Sequence, residues 1–218
     1  MKTIWHNWLS SLTAGARLLL ALFGLLFPLA MAGHYTHTFE LYSWLAFSPA
    51  LVWKGQVWRL LTYAFLPNGI LDWVVSLFWL ATLVCVLGRN WSGRELWIYC
   101  ILSTVVPSLV LTLVRQPAAG AIAGNGAMIL ALLAAWDWLY GRERIILLGF
   151  GELSVRQAAC VVALIEVLIL LFCLGWLTTL AMIIGGATGW FYLFLRGKRF
   201  MARPGRALDS ARIARLEL

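Results

Sequence analysis

The feature that most constrains this chain is an apolar tract of about 40 residues (157–195) in which Glu166 is the only charged residue. A helix rises 1.5 Å per residue, so one helix of this length would extend roughly 60 Å. A bilayer core is about 30 Å thick and needs about 20 apolar helical residues for each crossing. The tract is therefore predicted to form two spans, with Cys173-Leu-Gly-Trp176 as the hairpin between them.

Four earlier stretches have the same apolar character. The 218 residues are 62% hydrophobic and 12% charged, which excludes a soluble globule with a polar surface. We predict an all-α polytopic membrane protein with six transmembrane helices, at residues 18–33, 69–87, 96–114, 121–140, 157–174 and 177–195. A cytoplasmic N-terminal segment (1–17) precedes this membrane domain (18–195), and a basic cytoplasmic tail (196–218) follows it.

The basic residues give an independent test of this helix count. Of the 17 Lys and Arg residues, only Lys54, Arg59 and Arg115 fall on the side opposite the N-terminus, which leaves 14 on the other side. Short cytoplasmic loops collect Lys and Arg, so both termini are predicted to be cytoplasmic, in a bacterial inner membrane. The net charge of +8 is then a topology signal and does not indicate a nucleic-acid partner. Membrane lipids are expected partners, and the tail either rests on anionic headgroups or is simply solvated.

The N-terminal region has a second interpretation. Lys2 and Arg17 precede an apolar run that ends in Ala30-Met31-Ala32, a pattern typical of a cleaved secretory signal. Cleavage would leave five spans and would place the basic tail on the side that the charge rule disfavours. Retention of the first span is therefore the favoured interpretation.

The first loop (34–67) is long and rich in aromatic residues, which favour the headgroup layer. It is predicted to lie in the membrane interface as short helices, and it contains Val57-Trp-Arg-Leu-Leu-Thr-Tyr-Ala-Phe65. Two glycine segments follow later in the chain. Gly124-Asn-Gly-Ala127 opens the fourth predicted span, and Ile184-Gly-Gly-Ala-Thr-Gly189 lies in the sixth.

The chain resembles the rhomboid intramembrane serine proteases in four features and in their order. These are the Trp-Arg pair, the interfacial loop, the six spans and the two glycine segments. The resemblance covers roughly residues 18–195 and implies a six-helix bundle. It also implies a catalytic Ser in a Gly-x-Ser-Gly motif that opens the fourth span, and a His base in the sixth. In a serine protease the imidazole activates the hydroxyl by taking its proton.

This chain departs from the family at both catalytic positions. The serine position falls on Gly126, or on Asn125 if the register slides by one, and the histidine position falls on Met182 or Ile183. The positions that help to hold the oxyanion in the family correspond to Asp72 and Ser76, and an ionised carboxylate would repel a developing oxyanion. Loss of the nucleophile alone removes on the order of 10⁶ in turnover. The resemblance therefore implies a pseudoprotease that binds the transmembrane helices of client proteins.

The predicted client-binding residues are Asn125, Gly126, Glu166, Trp58, Arg59 and Asp72. For Glu166 two interpretations stay open, a protonated structural residue or a contact to a client, because the resemblance makes the fifth span a lateral gate. Asp72 and Asp137 are expected near opposite membrane faces, which argues against a paired-carboxylate protease. No cofactor or metal is predicted, because the four cysteines lack metal-ligand spacing.

Two further hypotheses concern packing and function. Small residues allow close helix approach in lipid. The fourth and sixth spans are therefore predicted to pack closely, with Gly126 against Gly185 or Gly186, through these small residues: Gly120, Gly124, Gly126 and Ala127 on the fourth span, and Gly185, Gly186 and Gly189 on the sixth. Two other functions stay open, namely an active protease whose dyad has been misaligned and a structural or transport component with the same fold.

Overall fold

Six long helices, four short helical segments and one hairpin make up the part of the chain that the computed structural model describes, which is residues 12–36, 41–114, 122–147, 151–173 and 175–200. In chain order the elements are α1 (Ala14–Thr36), α2 (Leu41–Leu45), α3 (Pro49–Trp53), α4 (Arg59–Thr62), a 3₁₀ turn (Tyr63–Phe65), α5 (Ile70–Gly88), α6 (Gly93–Leu113), α7 (Gly126–Tyr140), β1 (Arg144–Leu147), β2 (Gly151–Ser154), α8 (Val155–Cys173) and α9 (Trp176–Phe200). Each long helix overlaps one of the predicted spans.

Four of the described helices, α1, α5, α6 and α9, are long and apolar enough to cross a membrane. Helix α7 is apolar but has only 15 residues, and α8 has 19. The chain is therefore a mainly helical membrane protein, as its composition predicts.

Helix α7 lies at the centre of the bundle and contacts α5, α6, α8 and α9. A helix that is apolar on all sides is buried rather than amphipathic. Eight residues of α7 are buried: Ala127, Met128, Ile129, Ala131, Leu132, Leu133, Ala135 and Trp136. The position of α7 brings its N-terminus to the junction of several helices.

The closest helix contact joins α7 to α9. A Cβ on Gly185 would lie 2.6 Å from Cβ of Ala127, and one on Gly189 would lie 2.7 Å from Cβ of Ala131. Both pairs are four residues apart, so two small-residue stripes face each other. The predicted close contact of these two helices is confirmed for Ala127, Gly185 and Gly189, and the residue nearest to Gly185 is Ala127 rather than Gly126.

An antiparallel hairpin, β1–β2, joins α7 to α8 and corrects the prediction of a purely helical domain. Its register pairs Ile145 with Leu153 and Ile146 with Glu152. The predicted spans leave this segment as a loop, because a hydropathy count detects only long apolar helices. Its β-branched Ile residues favour a strand. The hairpin lies at the opposite end of α7 from Asn125.

The helix ends also differ from the hydropathy estimates. Helix α1 continues to Thr36 and includes His34, and α9 continues to Phe200, past the predicted end of the membrane domain at residue 195. Polar residues can extend a helix beyond its apolar segment, which a hydropathy count does not detect. The possible cleavage sequence at Ala30 lies inside α1, where Ala30 is fully buried. Most of the N-terminal segment and the basic tail lie outside the described residues.

Candidate functional site

The start of α7 is held in place by the first loop. Phe47 and Ile122 exchange two backbone hydrogen bonds of 2.8 Å, and the Gly124 N–H donates to the carbonyl of Tyr63 at 3.2 Å. Gly124 has a backbone φ of +124°, a conformation that residues other than glycine rarely adopt. The Tyr63 hydroxyl donates to the carbonyl of Thr104 at 3.1 Å, and burial raises the pKa of this phenol, so it stays a donor. These contacts fix the backbone of the glycine segment.

A small pocket opens beside this segment, between the N-terminal ends of α5 and α7 and the adjoining parts of α8 and α9. Its lining residues are Tyr63, Asn68, Asp72, Ile122, Ala123, Gly124, Asn125, Gly126, Ala127, Glu166, Thr178, Ala181 and Met182. The inner volume is about 20 Å³, which is room for about one water molecule. Four of the six predicted client-binding residues, Asn125, Gly126, Glu166 and Asp72, therefore line one pocket.

A chain of polar contacts crosses the pocket wall from α5 to α7. The backbone N–H and the side-chain amide of Asn68 donate to Oδ2 of Asp72, at 2.8 and 3.3 Å. The Ser76 hydroxyl lies 3.1 Å from Oδ1 of Asp72 and 3.0 Å from Oδ1 of Asn125. Asp72 also influences the first loop, because burial and then the negative charge of Asp72 raise the pKa of Tyr42. The carboxyl group of Asp72 is thus oriented by two donors of Asn68 and by its contact with the Ser76 hydroxyl.

Asn125 is 2% exposed, and its amide nitrogen has no hydrogen-bond partner. The two ends of an amide side chain are assigned from the surrounding hydrogen bonds. Ser76 has one proton, which it can donate to Asp72 or to Asn125 but not to both. The atom without a partner in the described part of the chain is the amide nitrogen, so Asn125 holds an unpaired buried donor at the pocket wall.

Of the two residues that the resemblance gives for the base position, only one lines this pocket. Met182 lines the pocket and is 1% exposed, whereas Ile183 is 49% exposed and lies outside it. Gly126 and Asn125 both line the pocket. Among the lining residues, hydroxyl groups come from Tyr63 and Thr178, and none of these residues is a His, Lys or Cys.

Glu166 lines the pocket from the middle of α8. No hydrogen bond or ion pair to Glu166 forms within the described residues. The buried side chains described on α8 are Val155, Ala158, Ala159 and Val162, all toward the hairpin. In the part of α8 that bears Glu166, none of the side chains that the structure describes is fully buried.

Trp58 and Arg59 are not among the residues that line the pocket. The Trp58 indole N–H donates to the carbonyl of Trp44 at 3.3 Å. The Arg59 guanidinium is 4% exposed and donates to the carbonyl of Ala46 at 2.5 Å and to Gln56 at 2.6 Å. Burial lowers the pKa of Arg59, although an Arg side chain stays charged in proteins. These contacts give the Trp-Arg pair a structural role in the first loop.

Sequence reasoning missed Asn68, Tyr63 and Thr178 as pocket residues. Asn68 stands four residues before Asp72, and an acidic residue in the first turn of a helix with a polar residue just before it is a helix-start signal. That signal could have pointed to Asn68. Nothing in the pattern around Thr178 distinguishes it from Thr179, which is buried and donates to the carbonyl of Gly175.

Asp137 lies far from this pocket, as expected from the topology. Its carboxylate accepts a hydrogen bond from Nε of Arg156 at 3.0 Å, at the hairpin end of the bundle. The carboxylate that shares a pocket with Asp72 is Glu166, a pairing that the sequence did not suggest.

The fold and the pocket define an integral membrane protein with a polar site at the N-terminus of a central helix. A family model described as "Eukaryotic integral membrane protein (DUF1751)" matches residues 13–216, and the chain belongs to this family. No curated protein matches the chain.

The family assignment corrects the predicted location. A bacterial inner membrane is wrong, because the family is described as eukaryotic, while integration into a membrane is supported. The asymmetry of basic residues that led to the prediction reports only which side of a membrane a loop occupies. It does not distinguish a bacterial from a eukaryotic membrane.

Proposed function

We propose that this chain is a rhomboid-like, six-span membrane protein without protease chemistry that binds transmembrane segments of client proteins. The observation that carries the proposal is the pocket at the start of α7, where Asn125, Gly126 and Met182 stand in place of a nucleophile and a base. The kind of client follows from the family resemblance, and the pocket geometry supports a contact at this place.

The length of α7 supports a pocket inside the membrane. Its 15 residues extend about 22 Å, less than the roughly 30 Å of a bilayer core. A helix this short that crosses the membrane with its hairpin end at one surface begins below the other surface. Polar groups at its N-terminus can then meet a client segment at membrane depth.

The packing of α8 supports lateral entry. Leu164, Ile165, Leu168 and Ile169, near Glu166 on α8, are 43–59% exposed. The pocket itself holds about one water molecule, so a client needs α8 to move aside. A client whose helix unwinds there can offer backbone polar groups to Asn125.

Binding can be tested with a fluorescent transmembrane peptide in vesicles that contain the purified protein labelled with an acceptor dye. A Leu-rich peptide with a Gly-Pro break in its outer third should show energy transfer that an unlabelled copy competes away. Gly126→Leu, which places a bulky side chain in the pocket, should abolish it, while Gly24→Leu, on the outer face of α1, should not. Equal transfer in wild type and Gly126→Leu would contradict binding at this pocket.

The lack of protease chemistry has its own test, since Thr178 supplies a hydroxyl to the pocket. A fluorophosphonate probe should not label the purified protein, because no imidazole or amine in the described lining can take the proton. Labelling that disappears in Thr178→Val would overturn the assignment as a non-enzyme and favour an active hydrolase.

A further inference from the structure

We propose that a phosphatidylethanolamine molecule binds at the hairpin end of the bundle, with its headgroup among Arg142, Glu143 and Arg156 and one acyl chain in a groove between α7, α8 and α9. No described residue lines both this site and the pocket beside α7. The inference is therefore independent of client binding. It rests on two adjoining spaces, one charged and one apolar.

The charged cavity lies where the end of α7 meets the start of α8. The backbone N–H groups of Val155 and Arg156 donate to the carbonyls of Glu143 and Gly141, at 2.9 and 3.4 Å, which brings the two segments together. The cavity has a volume of about 630 Å³, within the range of about 300–1,000 Å³ that is usual for ligand pockets. Its charged lining residues are Asp137, Arg142, Glu143 and Arg156. One cavity therefore presents both signs of charge.

An apolar groove of about 460 Å³ continues from this cavity along the helices, because Asp137 and Trp190 line both spaces. Except for Asp137, the lining residues of the groove are uncharged. On α9 the groove extends from Trp190 to Ile183, seven residues that rise about 10 Å. Small side chains keep it open on each of the three helices: Ala134 of α7, Ala163 of α8 and Ala187 of α9. A space that is apolar along its length and charged at one end matches the shape of charge in a phospholipid.

Two tryptophan residues lie where the spaces meet. The rings of Trp138 and Trp190 are 6.4 Å apart and nearly perpendicular, at 82°. Trp138 lines the charged cavity, and Trp190 lines the cavity and the groove. Indole rings favour the boundary between headgroups and acyl chains. The junction of the two spaces is therefore expected at the depth where the headgroup of a lipid meets its chains.

The two arginines supply donors for the phosphate of the lipid. Arg156 donates from Nε to Asp137 at 3.0 Å, and four further N–H donors of its guanidinium remain. Within the described part of the chain, the side chain of Arg142 forms no hydrogen bond or ion pair. A guanidinium presents its N–H groups in a planar fork that matches the oxygens of a phosphate. Two such groups at one cavity favour a phosphate ligand.

The acidic residues select the rest of the headgroup. Asp137 is paired with Arg156, while Glu143 has no ion-pair partner among the residues that the structure describes. One unpaired cation, Arg142, and one unpaired anion, Glu143, match a headgroup with one charge of each sign. Phosphatidylethanolamine has a phosphate and a primary ammonium that can donate to Glu143. Phosphatidylcholine has no N–H to donate and phosphatidylglycerol has no cation, so the charges favour phosphatidylethanolamine over both.

The test measures the binding of single lipids to the full-length protein in detergent micelles by native mass spectrometry. The three lipids, with identical acyl chains, are phosphatidylethanolamine, phosphatidylcholine and phosphatidylglycerol. Phosphatidylethanolamine should bind about threefold or more tightly than either of the others, as expected for charge pairs that are partly exposed to water.

Two exposed residues of the cavity give the variants for the headgroup, and both have matched controls. Arg142→Gln should weaken the binding of all three lipids, because each contains a phosphate, and Glu143→Gln should remove only the advantage of phosphatidylethanolamine. Arg144→Gln and Glu152→Gln should change neither, because these residues form an exposed ion pair on the hairpin and line neither space.

The groove has its own variant. Ala187→Leu, at an exposed position of α9, fills part of the groove and should weaken the binding of all three lipids, while Gly24→Leu on α1 should not.

Five outcomes would overturn the inference. Equal binding of the three lipids would remove the headgroup recognition, and phosphatidylglycerol binding as tightly as phosphatidylethanolamine would remove the ammonium contact with Glu143. A loss in Arg144→Gln as large as that in Arg142→Gln would mean that lipid is attracted by the basic surface in general. Unchanged binding in Ala187→Leu would exclude an acyl chain from the groove. If the transmembrane peptide used above displaces the lipid, the groove holds a client segment instead.

Discussion

The two helices that flank the pocket, α8 and α9, are held to the bundle in opposite ways. Helix α9 presents Gly185 and Gly189 to α7 at distances that leave no room for a Cβ. Helix α8 has its described buried residues near the hairpin, and its other half exposes Leu164 and Leu168. One wall of the pocket is therefore closely packed against α7, and the other has outward-facing side chains along its described second half.

This difference follows from how helices associate in lipid. Lipid tails are as apolar as leucine, so large apolar residues give little drive for helix association, while small residues permit close van der Waals contact. The α7–α9 contact has small residues on both helices. The outer half of α8 has Leu and Ile residues and the single carboxyl group of Glu166. The lateral opening of α8 that we propose for client entry rests on this difference in packing.

The largest expected effect tests the fixed wall. Gly185→Ala would place its Cβ 2.6 Å from Cβ of Ala127 and 2.8 Å from the carbonyl oxygen of Ser103. Overpacking of this kind costs about 1–3 kcal/mol, so the free energy of unfolding in mixed micelles should fall by that amount, and by more in Gly185→Leu. Gly24→Ala, where no atom lies within 4 Å, should be neutral or stabilising by up to about 1 kcal/mol. Equal effects of both Ala variants would remove the close contact from this description.

An intermediate effect is expected at the polar wall formed by α5. Ser76→Ala removes the hydroxyl that joins Asp72 to Asn125 and should lower the free energy of unfolding by about 0.5–1.5 kcal/mol. Thr82→Ala is the matched control on the same helix, because its exposed hydroxyl donates to the carbonyl of Phe78 and Thr82 does not line the pocket. The control should stay within about 0.5 kcal/mol of wild type. A loss in Thr82→Ala as large as that in Ser76→Ala would mean that the pocket contacts add no stability of their own.

The smallest effect is expected on the wall that α8 forms. Leu168→Ala, 43% exposed in the wild-type chain, should change the free energy of unfolding by less than about 0.5 kcal/mol, since the lost contacts are mostly with lipid. Val162→Ala, buried in the same helix toward the hairpin, should cost more because it leaves a cavity. Should Leu168→Ala prove the more destabilising of the two, α8 would be held along its whole length and the comparison of the walls would fail.

Much of the candidate site could be predicted because its residues break the local pattern. Asp72 and Glu166 are charged residues within apolar stretches, and Asn125 and Gly126 interrupt a run of small apolar residues. Trp58 and Arg59 stand out equally in the sequence, yet they hold the first loop together through the carbonyls of Trp44 and Ala46. A prominent residue type shows that a position is unusual, but it does not show what that side chain contacts.

The sequence by itself determined that most of this chain lies in a membrane and where its long helices lie. Apolar composition is a local property of each segment, and the bilayer thickness sets the length that a span needs. Only the tertiary structure decided that Ala127 rather than Gly126 meets Gly185, that Met182 rather than Ile183 faces the pocket, and that Glu166 shares the pocket with Asp72. Adjacent helical residues point about 100° apart, so a one-residue choice of register selects a different face. Which faces meet depends on the packing of all the helices together, and that information is not local in the sequence.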